Sequence, residues 1–230
     1  MNQPRIVEAR IVEVRRKVLK ENDVLARRLR DRFHEAGVQV ISLVSSPGAG
    51  KTALLERLLA ELRTSHRVAA LVGDLATEND AARLARSGAL VKQITTGTIC
   101  HLDASMVERA LTGWNLKDLD FLFIENVGNL VCPSSFDLGE DLRVVLVSTT
   151  EGEDKPLKYP TIFNSADVAI ITKIDLAQAV DADVPLLTRN ILGVRPGIQL
   201  FQASSRSGEG MKELVQYVVS RREQVTAKVG

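Results

Sequence analysis

Short apolar runs alternate with helical stretches from Val38 to near the end of the chain. Seven of these runs have mainly apolar interiors: VQVISLV, RVAALVGD, ALVKQI, DFLFIEN, LRVVLVST, VAIITKID and IQLFQAS. Strands of parallel sheets show such runs because helices cover both faces of the sheet. The pattern predicts an α/β fold with a doubly wound, mostly parallel sheet of seven strands.

Residues 4–36 carry a different pattern. On this highly charged segment, apolar side chains recur three, four or seven positions apart: Val7, Ile11, Val14, Val18, Leu25, Leu29 and Phe33. The spacing predicts an amphipathic helix, or two, ending at Gly37, a residue suited to a left-handed cap. We therefore divide the chain into a helical extension, 1–36, and a main domain, 37–230. The stripe either packs on that domain or binds a partner.

Composition excludes several classes of protein. The 230 residues are 45% hydrophobic and 26% charged, which does not fit disordered or fibrous chains. A net charge of +1 provides no large basic field, so we expect neither nucleic acid nor a membrane as partner. No apolar run approaches the ~18 residues of a membrane span, and no signal peptide is seen. A cytoplasmic location is expected, where two cysteines rarely form a disulfide.

The segment SSPGAGKT, residues 45–52, lies between the first predicted strand and a helix. This context favours a phosphate-binding loop, in which glycines turn backbone N–H groups toward phosphate oxygens. Lys51 can reach the terminal phosphates, and the Thr52 hydroxyl can coordinate Mg²⁺. The usual motif has Gly where this chain has Ser45. The predicted nucleotide contacts are Gly48, Ala49, Gly50, Lys51, Thr52 and Ala53.

Acidic residues at the ends of two other strands complete the predicted phosphate site. Glu125 ends FLFIE and Asp74 ends LVGD, and both are assigned, with Lys51, to catalysis and to the Mg²⁺ shell. Gly128 follows closely, so its N–H could contact the γ-phosphate. Asp80 has two equally good interpretations, a role in switching or an acid that interacts with the dipole of its helix.

The segment ITKID predicts the base site. The Asp175 carboxylate can accept hydrogen bonds from N1–H and the 2-amino group of guanine, two donors that adenine lacks. Lys173 can lie along the purine plane, although Thr172 stands where Asn is usual. The loop of Ser204, Ser205 and Arg206 follows the next strand and is placed to contact the guanine carbonyl. We therefore expect GTP and GDP as ligands.

Cys100, His101 and Cys132 lie on two loops that should meet at the carboxyl edge of the sheet. Thiolate and imidazole groups suit Zn²⁺ or Ni²⁺, and a second chain, a water or a bridging thiolate would complete the shell. By spacing alone the metal signal is weak, and structural thiols with a surface histidine are the favoured interpretation. His34 and His66 are assigned no role.

The segment IENVGNLVCPSSFDLGE, residues 124–140, resembles the HypB family of hydrogenase nickel-incorporation GTPases. Six further motifs carry the same resemblance and occur in the family's order along the chain: SSPGAGKT, GDLATENDAARL, CHLDA, TEGEDKPLKYP, ITKIDL and SSRSGEG. The related UreG family has a Cys-Pro-His motif that is absent here. The resemblance implies a P-loop NTPase fold for residues 37–230, specifically a SIMIBI-like G domain, and GTP hydrolysis coupled to nickel delivery.

Site and partner assignments also follow from the resemblance. Cys100, His101 and Cys132 match a metal site at a nucleotide-dependent homodimer interface, and Lys155 matches a catalytic lysine reaching the nucleotide of the other protomer. A HypA-like nickel chaperone and the hydrogenase large-subunit precursor are the implied further partners. Some members carry an N-terminal Cys-rich or His-rich nickel motif, which this sequence lacks. The predicted ligands are GTP or GDP, Mg²⁺, and Ni²⁺ or Zn²⁺.

The short Gly128-to-Cys132 spacing predicts that nucleotide state changes metal affinity. No glutamine that would orient water is evident, so slow intrinsic turnover is expected. The alternatives are a maturation GTPase for another acceptor, such as a urease-accessory-like protein, or a zinc-stabilised nucleotide-binding dimer without significant turnover. A small-metabolite kinase fits less well because no acceptor pocket with a base is evident.

Overall fold

The computed structural model describes residues 4–75 and 79–226. Seven parallel strands form one sheet, which confirms the predicted α/β class. They are β1 (Gln39–Ser45), β2 (Val68–Asp74), β3 (Leu90–Thr95), β4 (Phe121–Glu125), β5 (Leu142–Ser148), β6 (Val168–Thr172) and β7 (Gln199–Ala203). Their spatial order is β3-β2-β4-β1-β5-β6-β7. Every adjacent pair is parallel.

Helices cover both faces of this sheet. They are α1 (Pro4–Ala36), α2 (Lys51–Leu62), α3 (Asn79–Ala85), α4 (Ala104–Ala110), α5 (Lys155–Lys158), α6 (Pro160–Ser165), α7 (Val184–Val194) and α8 (Met211–Thr226). Short 3-10 helices span Leu116–Asp118, Cys132–Ser135 and Ile174–Leu176. Helices α2 and α8 bury their apolar side chains against one face, and α1, α4, α6 and α7 cover the other.

Helix α1 is one continuous helix and not two. Ala26, Leu29 and Phe33 are fully buried against the sheet, whereas Val14 is 63% exposed and Val18 is 47% exposed. Thirty-three helical residues extend about 50 Å, roughly twice the length of a seven-residue strand, so only the second half fits over the sheet. Gly37 has a φ of 71°, the left-handed conformation expected at this helix end.

Among the described residues, no helix is both long enough and apolar enough to span a bilayer.

Candidate functional site

The strand order reverses at β1, which lies between β4 and β5. In open α/β sheets such a reversal leaves a crevice at the carboxyl ends of the strands. A cavity of about 410 Å³ lies here, lined by the loop after β1, the ends of β2 and β4, and the start of α3. All the predicted phosphate-site residues except Ala49 line it: Gly48, Gly50, Lys51, Thr52, Ala53, Asp74, Glu125 and Gly128. Ala49 is fully buried.

The phosphate loop has the backbone that its glycines allow. Gly48 and Gly50 have φ values of 76° and 94°, a region that residues with a Cβ rarely adopt. Helix α2 begins at Lys51, directly after this turn. Ser45, at the position where the usual motif has Gly, accepts a hydrogen bond from Lys51 Nζ at 2.9 Å. Burial lowers the pKa of Lys51, while Glu125, Asp80 and Glu151 act in the opposite direction.

Glu125 is the buried acid of the cavity. Its Oε1 accepts a hydrogen bond from the Thr52 hydroxyl at 2.6 Å, and the residue is only 3% exposed. Burial raises the pKa of Glu125 to about 7, although the Thr52 hydroxyl and the Lys51 ammonium oppose the shift. Its Oε2 has no hydrogen-bond partner among the described residues. An unsatisfied carboxylate oxygen beside a hydroxyl is the donor set that Mg²⁺ prefers.

Asp74 and Asp80 line the same cavity as Glu125. Asp74 ends β2, as predicted. Asp80 lies in the first turn of α3, so the helix-dipole interpretation and the switching interpretation both fit its position. Arg83, which the sequence analysis did not single out, also lines the cavity and bonds Glu56 at 2.6 Å.

Gly128 lies against the phosphate loop. A Cβ at this position would be 3.0 Å from Pro47 Cα and 3.1 Å from the proline ring. Real Cβ atoms seldom come so close to backbone, so only glycine lets the chain pass here without displacing Pro47. The loop after β4 therefore contacts the loop after β1 at Gly128.

The predicted base motif is bonded to the phosphate loop. Thr172, at the position where Asn is usual, donates its hydroxyl to the Ala49 carbonyl at 2.6 Å. Lys173 has a φ of 56°, and its Nζ donates to the Gly48 carbonyl at 2.7 Å. Asp175 is exposed in the 3-10 helix that follows, where a base could reach it.

The loop after β7 is ordered by its own serine. Ser204 is fully buried, and its Oγ accepts from the backbone N–H groups of Arg206 at 3.2 Å and Ser207 at 3.0 Å. Ser204 thus shapes the turn, whereas Arg206 is exposed and Ser205 is partly exposed. Of the three predicted residues, Ser205 and Arg206 are the ones available to a ligand.

Cys100, His101 and Cys132 come together. One ligand atom from each lies within 4.8 Å of the others, and the two sulfurs are 3.1 Å apart without a disulfide. The His101 ring stacks on Phe136, with centroids 4.0 Å apart. Its buried Nδ1 has no hydrogen-bond partner among the described residues. Two soft thiols and a free imidazole nitrogen suit Ni²⁺ or Zn²⁺.

Two asparagines link the loops that carry Cys100 and Cys132 to the segment around Gly128, and neither was predicted to have a role. Asn126 Oδ1 accepts from the Leu102 N–H at 3.0 Å and from the Val127 N–H at 2.9 Å. Asn129 Nδ2 donates to the Cys100 carbonyl at 3.2 Å, while its Oδ1 accepts from the Val131 N–H at 2.8 Å. The signal available in the sequence was an asparagine on either side of Gly128.

Leu102 connects the metal loop to β2. A Cβ on Gly73 would lie 2.8 Å from Leu102 Cγ, and the Leu102 side chain is fully buried. Gly73 directly precedes Asp74, and Leu102 directly follows His101. The end of β2 and the metal loop are therefore in direct contact.

Lys155 lies apart from the lining of the cavity in this single chain. Its Nζ pairs with Glu151 at 3.4 Å and lies 5.4 Å from the Tyr159 ring centroid. His34 bonds Asp141 at 2.6 Å, and His66 packs its ring against Phe121.

The chain is similar to known proteins over most of its length. The model of the family described as "CobW/HypB/UreG, nucleotide-binding domain" matches residues 39–202. The hydrogenase maturation factor HypB of Rhizobium leguminosarum bv. viciae is 44% identical over 228 residues, which are 98% of this chain and 76% of that protein. The HypB of Escherichia coli K12 is 45% identical over 219 residues, which are 95% of this chain and 76% of that protein.

A solved structure is similar over most of both chains. The crystal structure of HypB from Helicobacter pylori in complex with nickel has a TM-score of 0.84 and 39% sequence identity. The alignment covers 89% of this chain and 96% of that one.

Proposed function

The chain belongs to the HypB hydrogenase maturation factors of the CobW/HypB/UreG nucleotide-binding family, and from this premise we propose a function for its two sites. The protein hydrolyses GTP slowly, and its nucleotide state sets the affinity of a nickel site formed by Cys100, His101 and Cys132. The nickel so held is cargo for delivery to a [NiFe] hydrogenase precursor.

One observation carries the proposal. The segment from Asn126 to Cys132 lines the phosphate cavity with Gly128 and brings the Cys132 sulfur to 3.1 Å from Cys100. Asn129 also bonds this segment to the Cys100 carbonyl. A displacement of about 1 Å at Gly128 would exceed the roughly 0.2 Å tolerance of metal–ligand distances. Movement toward the γ-phosphate would therefore change the metal geometry.

Residues of the cavity and of the base motif bind different parts of the nucleotide. The phosphate-loop N–H groups and Lys51 bind the phosphates, and Asp175 accepts hydrogen bonds from guanine. Thr52, Asp74 and Glu125 would hold Mg²⁺, which neutralises charge on the β- and γ-phosphate oxygens when bound. The described residues place no glutamine in the cavity lining, in keeping with slow turnover.

The three metal ligands leave one position open in a four-coordinate shell. A homodimer placing two such sites together would complete it, and it would also bring Lys155 to the nucleotide of the other protomer. A HypA-like nickel chaperone and the hydrogenase large-subunit precursor are the proposed donor and acceptor. Zn²⁺ suits the same donors, so competition between the metals belongs in the test.

The experiment compares nickel affinity in two nucleotide states. Chelator competition is measured with Mg²⁺ and either GDP or a non-hydrolysable GTP analogue, on the wild-type chain and on Cys132→Ser. We expect at least a tenfold difference between states in the wild type and none in Cys132→Ser. Equal wild-type affinities would contradict the coupling.

Phosphate release separates this function from that of a zinc-stabilised dimer without turnover. The wild type should release phosphate from GTP, and Lys51→Ala should not. If neither protein releases phosphate, the non-catalytic alternative is correct.

A further inference from the structure

Asn22 lies where α1 crosses the two loops that carry the metal ligands. Its Nδ2 donates to the Asp137 carbonyl at 2.9 Å, and its Oδ1 accepts from the Ala104 N–H, also at 2.9 Å. The residue is 8% exposed. A single buried amide therefore connects α1 to both loops.

The buried Ala104 N–H needs such a bond. Ala104 is the first residue of α4, so its N–H has no acceptor within the helix. Asp137 lies in the irregular segment between the 3-10 helix and β5. An unsatisfied buried donor or acceptor costs about 1–3 kcal/mol. Asparagine offers a donor and an acceptor together without charge, which fits this pair of partners.

The two partners are close to the metal ligands along the chain. Ala104 is three residues after His101, and Asp137 is five residues after Cys132. Between them, Phe136 stacks on the His101 ring with centroids 4.0 Å apart. The Asn22 amide thus fixes the distance between the His101 loop and the Cys132 loop on the side that faces α1.

We propose that Asn22 is a positioning residue for the metal site and that α1 thereby sets the nickel affinity of the main domain. The inference rests on the proposed function in one respect, that nickel binds at Cys100, His101 and Cys132. Both hydrogen bonds of the Asn22 amide are to backbone groups, so it acts through the backbone of the loops that bear these side chains.

The attachment of α1 does not depend on Asn22. Ala26, Leu29 and Phe33 are fully buried against the sheet, and Arg30 pairs with Asp137 at 2.7 Å. Removal of the Asn22 amide should therefore leave α1 and its ion pair with Asp137 in place, while the His101 loop loses its bond to α1 at Ala104. This separation makes a specific test possible.

The test measures Ni²⁺ binding to the full chain by chelator competition and by the thiolate-to-nickel absorption bands. Asn22→Ala is expected to weaken Ni²⁺ binding about tenfold or more and to change the absorption bands. Asn22→Asp keeps the size and the acceptor for Ala104 but places a carboxylate against the Asp137 carbonyl. It should show a comparable loss, so the inference stays testable if Asn22→Ala does not fold.

Asn115 provides the control. Its side chain caps the 3-10 helix Leu116–Asp118, and its hydrogen bonds stay within that turn. Asn115→Ala should leave the affinity and the bands unchanged. Wild-type affinity and bands in both Asn22 variants, or an equal loss in Asn115→Ala, would overturn the inference.

Cys132→Ser distinguishes a failure of the positioning role of Asn22 from a failure of the metal site itself. If Cys132→Ser abolishes Ni²⁺ binding while the Asn22 variants behave as wild type, only the positioning role fails. If Cys132→Ser binds Ni²⁺ with unchanged affinity and bands, the metal site itself is wrong, and the role of Asn22 fails with it.

Discussion

The Asn129 side chain donates a hydrogen bond to the Cys100 carbonyl at 3.2 Å. Asn129 directly follows Gly128, which lines the cavity, and Cys100 carries one sulfur of the proposed metal site. The bond therefore joins the two sites through one residue. Its removal should separate them without deleting a ligand of either.

Asn129→Ala is expected to reduce the difference in nickel affinity between the GDP and GTP-analogue states by at least threefold, while each state still binds metal. Chelator competition in both nucleotide states measures this difference in nickel affinity. Ser134→Ala is the control, because the exposed Ser134 hydroxyl bonds the Val131 carbonyl in the same loop. An undiminished difference in Asn129→Ala would show that coupling takes another route.

Gly128→Ala should impair GTP hydrolysis more than GDP binding. The added methyl group would lie about 3.0 Å from Pro47, so the loop must withdraw from the phosphate side. Steady-state phosphate release and GDP titration give the two quantities. Gly193→Ala is the control, since nothing lies within 4 Å of its Cβ position and alanine favours the interior of α7. Wild-type hydrolysis in Gly128→Ala would contradict the proposed loop contact.

Glu125→Gln should lower the Mg²⁺-stimulated rate of GTP hydrolysis at least tenfold. The amide keeps the size of the side chain and can still bond the Thr52 hydroxyl, but it lacks the charge that a metal shell needs. Rates measured across a Mg²⁺ titration test this expectation. Glu108→Gln, at a partly exposed ion pair with Arg32, should behave as wild type. An unchanged Mg²⁺ dependence in Glu125→Gln would remove Glu125 from the metal shell.

Asp175→Asn should lower GTP affinity at least tenfold and raise XTP affinity, because the amide donates to the xanthine oxygen where the carboxylate accepted from guanine. Competitive titration of the two nucleotides measures the exchange. Asp181→Asn is the control: Asp181 is exposed and has a φ of 53°, a conformation that asparagine tolerates. Equal GTP affinity in Asp175→Asn and wild type would refute the guanine assignment.

Asp120 should contribute to acid stability. The Arg67 guanidinium, which bonds it, lowers the pKa of Asp120 from 3.8 to about 2, with Arg222 assisting and burial opposing. The unfolded chain binds the Asp120 proton more tightly than the folded chain does. The contribution of Asp120 to the free energy of unfolding is therefore complete above about pH 4 and is lost as pH falls toward 2.

Asp120→Asn should therefore lower the free energy of unfolding at pH 7 by at most about 2 kcal/mol, and the loss should shrink below pH 4. Denaturant titrations between pH 2 and 7 test it. Asp154→Asn, at the exposed pair with Lys158, should change little. A pH-independent difference for Asp120→Asn would contradict the assignment.

The sequence predicted the sheet well because each strand is an apolar run with a clear boundary. All seven runs are strands, and a helix follows the phosphate loop as predicted, beginning at Lys51. The burial of helix α1 was predicted less well. The spacing of Val14 and Val18 shows that they share one face of the helix, but not whether that face is buried or exposed. That difference depends on the length of the sheet beneath the helix.

The parts of the candidate site that could be predicted are those in which the residue type itself indicates the chemistry, as with metal-ligating cysteine and histidine. Cys100, His101 and Cys132 were grouped from topology, and the structure brings them together. Asn22, Asn126 and Asn129 could not be found in this way because each acts by bonding backbone groups far away in the sequence. Such roles depend on how the loops cross, which no local pattern specifies.

The contact between Gly73 and Leu102 limits how this family of sequences can change. A Cβ at residue 73 would lie 2.8–2.9 Å from the Leu102 side chain, so the buried leucine would have to shift to admit it. Evolutionary drift at either position therefore has to involve the other, and the two positions should vary together or stay fixed across related genes. Because Asp74 follows Gly73 and His101 precedes Leu102, the same contact holds the end of β2 and the His101 loop together.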